Sequence, residues 1–403
     1  MTAFDNVRRK RTTVMLGACL AVLLGVGGLA YAGVKALRKY EGATKVGHKE
    51  IRIPSTPVGM LATVDAQNRL TSIEILVLLP KSNLGGSIVS VPVSADTTLG
   101  TGTDRIPFTE VYATGGIDEL ALSVESALSV TLDVYQVADP ATLAALLGPL
   151  GTIDATLPNA AGDTFPAGAI SLTADQAAQV INHTEVGQTD SVRRGDVEAV
   201  WAAVAAAVGS GVATVDASAP GTTTAGATLA IASVGDLLAR LFAGPVGARA
   251  IPAEPVDAAT NPGGKDVEAL DRVDAIMVLA SIAPRAMSAP APGLVFRIEA
   301  PAGYEAQVRV AVAIVLLGGG NVQSVYLNGP SQANTNVLIR DTRLEDQTGG
   351  ANTGLFGPTD VSEPKTSIEG IDVIVQLGGT WLDDPASLGQ TAASTTVPAT
   401  ATT

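Results

Sequence analysis

Three apolar runs follow one another closely: Pro57–Val64, Ser72–Leu79 and Ser87–Val93. Each is short, and the second, Ser-Ile-Glu-Ile-Leu-Val-Leu-Leu, holds only one charge. Runs of this length rich in β-branched residues read as strands, and Gly85-Gly86 marks the turn between the last two. The period then changes. Ile117, Leu120, Ala121, Val124 and Leu128 recur at helical spacing across Gly116–Leu128. Asp133–Val137 returns to a strand. Asp139-Pro140 supplies an N-cap and a first-turn proline for a helix at Ala141–Leu147, and Ile153–Leu157 is a further strand. Strands alternating with helices predict a layered α/β domain.

Beyond it, Thr173–Val180, Arg194–Val208 and Leu229–Phe242 read as helices, with Ala213–Gly226 as a loop and Pro252–Gly264 as an irregular insertion. The Pro-rich stretch Met287–Pro292 reads as a linker. A smaller α/β pattern follows: strand Leu294–Glu299, helix Ala306–Leu317, strands Val322–Asn328, Asn336–Arg340 and Ile371–Leu377. Gly318-Gly319-Gly320 follows a helix and so stops it; a phosphate cradle would open one.

Val14 to Val34 is uncharged over 21 residues, enough helix to cross a bilayer core of roughly 30 Å. Arg8, Arg9, Lys10 and Arg11 precede it, and Lys35, Arg38 and Lys39 follow, a slight bias toward an inside N-terminus. Ala30-Tyr31-Ala32 would serve a leader peptidase, so a cleaved leader is the alternative; the length of the run favours an uncleaved anchor. Residues 1–40 hold seven basic residues against Asp5, whereas 41–403 hold 18 basic and 38 acidic residues. Such an acidic surface opposes nucleic-acid binding. Cys19 is the only cysteine, so residues beyond the anchor have no disulfide or thiol chemistry. His48 and His183 are too few and too far apart for a zinc site, and no nucleophile elbow or nucleotide motif is present.

Several blocks, in order, resemble the LytR-CpsA-Psr family of cell-wall ligases. Arg69 opens a strand as in the family's Arg-x-Asp-Thr motif. Tyr112-Ala113-Thr114-Gly115-Gly116 matches Tyr-Ala-x-Gly-Gly, and Ser123–Pro158 matches the helix, strand and Leu-Gly-Gly-Val segment that follow. Leu172-Thr173-Ala174-Asp175-Gln176-Ala177 matches Leu-x-Gly-x-Gln-Ala. Residues 294–382 are similar to the LytR C-terminal domain, through the strand–helix opening and Val373–Trp381, although Glu299–Gly303 stands where Asn-Gly-x-Gly is usual.

The resemblance implies a central mixed sheet with flanking helices. It also implies transfer of a glycopolymer from a polyprenyl pyrophosphate, with arginines on the pyrophosphate and carboxylates on Mg²⁺. This chain departs from that chemistry. Thr71 replaces the motif's aspartate, and Pro92-Val93-Ser94 replaces Pro-Arg-Asp. Pro107-Phe108-Thr109 replaces Lys-x-Asn, and Asn182-His183-Thr184 replaces Arg-x-Arg. In Asp190–Asp196, Asp190 and Arg193 remain but Asp196 stands for the second arginine. No catalytic residue, metal ligand or cofactor is therefore assigned. Arg69, Asp190 and Arg193 are either ordinary structural charges or the remnant of a pyrophosphate site.

The sequence thus predicts a cytoplasmic tail (1–13), a transmembrane helix (14–34), a tether (35–50), the ligase-like domain (51–287), a linker (288–293), the C-terminal-like domain (294–382) and a disordered tail (383–403). The bulk of the chain lies outside the cell membrane. Its expected role is non-catalytic binding of a polyprenyl-linked lipid or of envelope proteins; the alternatives are a residual ligase and a structural subunit of an envelope complex. For lipid binding, an elongated apolar cavity is expected between Ser72–Leu79, Val134–Val137 and Ala141–Leu147, with Arg69, Asp190 and Arg193 near one mouth.

Overall fold

A computed structural model describes residues 49–79, 85–98, 104–209, 230–341, 344 and 355–384. The expected anchor Val14–Val34 and the tail beyond 384 lie outside the described residues. Among the described residues no helix is long and apolar enough to cross a membrane.

The elements begin with β1 (Lys49–Ile51), β2 (Val58–Val64), β3 (Leu70–Leu78) and β4 (Gly86–Val91). Then come α1 (Phe108–Leu128), β5 (Val134–Ala138), α2 (Pro140–Leu147), β6 (Ile153–Leu157), β7 (Gly168–Leu172), α3 (Ala174–Asn182), α4 (Asp190–Val208) and α5 (Val234–Leu241). β8 (Val246–Ala250), β9 (Ala253–Pro255), β10 (Glu268–Leu270) and α6 (Arg272–Ile282) precede β11 (Val295–Glu299), α7 (Glu305–Leu317) and β12 (Asn321–Tyr326). The described chain closes with β13 (Thr335–Ile339), β14 (Thr359–Ser362), β15 (Thr366–Ile368), β16 (Val373–Gln376) and α8 (Gly379–Leu382).

The central sheet has the order β5-β2-β3-β4-β8. It is mixed: β3 is antiparallel to β2 and β4, while β5 and β8 run parallel to their neighbours. β2, β3 and β4 are buried at every position, which is why their sequences are nearly continuous in apolar residues. Alternate residues divide the strands between two cores. Val58, Met60, Ile73, Ile75, Val89 and Val91 pack with α1 and α6; Leu61, Leu76, Leu78 and Ile88 pack with α2, α3, α4 and α5. The predicted central mixed sheet with flanking helices is therefore what the chain forms. A second mixed sheet has the order β12-β11-β16-β13-β14 and is backed by α7.

Backbone chemistry sets the ends of the elements. The Asp65 carboxylate accepts from the Gln67 and Arg69 amides at 2.9 Å, and Asn68 takes φ 60°, closing the β2–β3 turn that presents Arg69. At Gly86 a Cβ would stand 1.9 Å from the Val77 carbonyl oxygen, so only glycine admits the β3–β4 pairing there. Asp139 caps α2 by accepting from Thr142 at 2.7 Å, as its place before Pro140 predicts.

Among the elements that differ from the sequence reading, which include the unpredicted strands β7 and β8 and a later start for α5, three have a plain physical reason. α1 starts at Phe108, not Gly116; Gly116 is a non-helical break within it, so the Gly-Gly pair interrupts the helix and does not open it. α4 starts at Asp190, four residues before Arg194, which places Asp190 and Arg193 on its first turn. α6 was not predicted. Its residues from Ala275 to Ile282 are all buried, so no polar face gives the helical period away.

Candidate functional site

One end of the central sheet gathers the polar residues. β3 begins there and β4 ends there, with Ile73 paired to Val91. The C-terminus of α3, the N-terminus of α4 and β10 complete the surroundings. The geometry can be built outward from Arg193.

Arg193 is almost wholly buried and bonded on several sides. Its guanidinium pairs with Asp190 Oδ1 at 3.1 Å, donates to the Ile181 carbonyl at 3.2 Å and donates to the Thr71 carbonyl. Asp190 in turn accepts from the Ser94 hydroxyl at 3.0 Å, and its amide donates to Asp266 at 2.8 Å. Asp266 thus satisfies the first amide of α4, whose Thr189 N-cap makes no side-chain cap bond. Arg194 makes a two-pronged pair with Glu268, at 2.5 and 3.3 Å, and approaches Glu198 at 3.6 Å. Ser94 also reaches Glu268 at 2.5 Å; its single proton serves one carboxylate at a time.

Thr71, which stands where the related motif has an acid, is buried in a ladder of neutral groups. Its hydroxyl donates to Asn182 Oδ1 at 2.6 Å and lies 2.8 Å from Thr63 Oγ1. Asn182 Nδ2 donates to the Ala178 carbonyl at 2.8 Å. Arg69 points the other way. Its side chain is 60% exposed, pairs with Asp65 at 2.7 Å and donates to Thr184 Oγ1 at 2.8 Å. Burial works to raise the Asp65 carboxyl, but the Arg69 amide, the Arg69 guanidinium and the Gln67 amide together hold it below the usual range. The structure therefore joins Asp190 to Arg193 and leaves Arg69 at the surface beside them. The three share one end of β3 without facing one space.

Glu74 is the residue that sequence reasoning missed. It lies in the middle of β3, wholly buried, opposite Ser90. The Ser90 hydroxyl donates to Oε2 at 2.7 Å, while Oε1 has no partner among the described residues. Burial pushes the carboxyl well above its ordinary value, and the charge of Glu198 adds to this against the Ser90 and Ser72 hydroxyls. Glu198 is raised as well, first by burial and then by Asp190 and Glu268, against Arg194. A small cavity of about 10 Å³ adjoins both, with Thr71, Ser90, Arg193 and Arg194 in its lining. That is room for about one water. The only sequence signal was the single charge inside an otherwise apolar strand.

This arrangement does not fit a magnesium ion. Asp190 is taken up by Arg193 and Ser94, Thr71 is neutral, and among the described residues no three His, Cys, Asp or Glu side chains converge as metal ligands. The expected apolar cavity is corrected too. Leu76, Leu78, Leu143 and Leu147, which were to line it, are fully buried against one another in a single core.

No family model matches the sequence, and no curated protein matches it. Among solved structures the chain is similar to a protein described as TagT bound to LIIa-WTA, with 19% identity over 55% of this chain and 87% of that one, TM-score 0.39. It is similar to TagV of B. subtilis, with 17% identity over 56% and 94%, TM-score 0.38. It is also similar to a LytR-CPS2A-psr family protein with bound octaprenyl pyrophosphate lipid, with 16% identity over 56% and 87%, TM-score 0.36.

Proposed function

We propose that the chain is a non-catalytic, membrane-anchored, extracytoplasmic protein of the LytR-CpsA-Psr type, which uses a ligase-like scaffold to bind a cell-envelope lipid or protein partner. The motif blocks at Tyr112–Gly116, Ser123–Pro158 and Leu172–Ala177 support the scaffold. The apolar run Val14–Val34 supports the anchor.

One observation carries the absence of transfer chemistry: the arginines at this end of the sheet are spent on internal partners. A pyrophosphate leaving group needs free guanidinium forks or a metal to take its developing charge. Arg193 is consumed by Asp190 and two carbonyls, and Arg194 by Glu268. Asp65, Asp190, Asp266 and Glu268 outnumber the three arginines. An incoming dianion would meet a locally acidic site.

The closed core between β3 and α2 favours the structural-subunit form of this reading over lipid capture at that place. A residual ligase finds least support, since it would have to recruit residues from elsewhere. The test is an assay of the full chain in detergent with polyprenyl pyrophosphate-linked glycan and peptidoglycan acceptor, with and without Mg²⁺. The expected result is no phosphate release and no transfer. Turnover that Arg69→Ala abolishes would overturn the reading.

A further inference from the structure

A second concavity shares no lining residue with the small cavity beside Arg193. It is a groove of about 690 Å³ between the end of α1, α6, the segment after α6, α7 and β12. That size falls in the range of small-molecule sites. Val273, Ile276, Met287, Leu316 and Val322 give it a mainly apolar lining. Leu317, 81% exposed, lies at its edge. Two charged residues line it, Arg272 and Arg309, and no acid does. In a chain of net charge −14, that bias sets the groove apart.

The two arginines differ. Arg309 is paired with Asp271. Arg272 has no ion-pair partner among the described residues; one nitrogen makes a long 3.4 Å bond to the Ser129 hydroxyl, and its buried Nε has no partner. Arg272 is half-buried with its Nε shut off from water, and no acid lines the groove to pair with it, so the groove is placed to receive an anion. A peptide is a poor occupant, because its backbone would need partners. Asn321, one of the few polar side chains in the lining, is already committed to Ala291 and Gly293.

We propose that this groove binds a single-chain anionic amphiphile, its carboxylate or phosphate on Arg272 and its hydrocarbon along Val273, Ile276, Leu316 and Val322. The proposal is independent of the reading of the Arg69 region and stands or falls separately. The test uses the full chain in phosphatidylcholine nanodiscs with three photoactivatable C16 probes: a fatty acid, an alkyl phosphate and the neutral alcohol. Labelled peptides are mapped by mass spectrometry.

The anionic probes should label residues 273–291 and 309–322 far above the alcohol, and excess palmitate should suppress that labelling. Whichever anionic head labels more strongly identifies the natural source. Arg272→Gln should lower anionic labelling by about tenfold, the scale of one charged hydrogen bond, while Arg272→Lys keeps most of it. Leu317→Asp, at an exposed position, should repel both anions without disturbing the fold. Equal labelling by acid and alcohol, labelling confined to residues 1–49, or full labelling in both Arg272→Gln and Leu317→Asp would overturn the proposal.

Discussion

Arg193 shows how a residue type expected at a ligand site can be turned to structure. Its guanidinium ties the first turn of α4 to the end of α3 and the start of β3 through Asp190, Ile181 and Thr71. Removing one partner from a buried pair leaves the other charge uncompensated. Arg193→Ala should therefore destabilise the fold by about 3–5 kcal/mol, measured by denaturant unfolding. Arg69→Ala should cost less, about 1 kcal/mol, because Arg69 itself is largely exposed and the buried Asp65 carboxylate keeps the amides of residues 67 and 69 as donors. Glu74 adds a pH dependence. Its carboxyl titrates well above its ordinary value, so the folded state keeps a proton that the unfolded chain has already released. Its contribution to stability is full below the ordinary carboxylate range and is lost as the pH rises through the raised value. Glu74→Gln keeps the bond from Ser90 and removes the ionisation. The variant should have a higher Tm than the parent at pH 7–8 and a flatter Tm profile above pH 5; identical profiles would mean that Glu74 is ionised in the folded protein.

At the scale of elements, legibility followed periodicity. Ile153–Leu157 appears with the predicted bounds because its alternating burial is written in its sequence. Asp139 before Pro140 announced α2, and Thr173 with Gln176 forms a reciprocal capping box that starts α3. Thr173→Ala should cost about 1 kcal/mol in chemical denaturation, and Thr142→Ala should cost less, because the backbone amide at 142 still donates to the Asp139 carboxylate. Where the period was absent, the reading failed. From Ala275 onward α6 is buried on every face. The start of α4 was hidden by polar residues and Gly195, whose missing side chain makes room for Pro158. The site divided along the same line. The Asp190–Arg193 contact follows from i, i+3 spacing on one helix. The Arg194–Glu268 pair spans 74 positions and depends on where β10 lies, which no local pattern encodes.

Across the described residues, two regions divide the polar and apolar character of the molecule. The sheet end that carries Arg69, Asp190 and Arg193 is polar and acidic, with its arginines paired internally, while the groove beside α6 and α7 is mainly apolar and holds an arginine without a described counter-ion. The packing that closed the space between β3 and α2 follows from fully buried leucines on both sides, and the sequence offered no way to tell a filled core from a lined cavity. Retention of a scaffold without its chemistry rests on the arginines being unavailable. Isothermal titration of the detergent-solubilised full chain with inorganic pyrophosphate, in the presence of Mg²⁺, tests this most directly. The predicted result is no saturable heat and no difference between the parent and Arg69→Ala. Saturable pyrophosphate binding that requires Mg²⁺ and disappears in Arg69→Ala would contradict it.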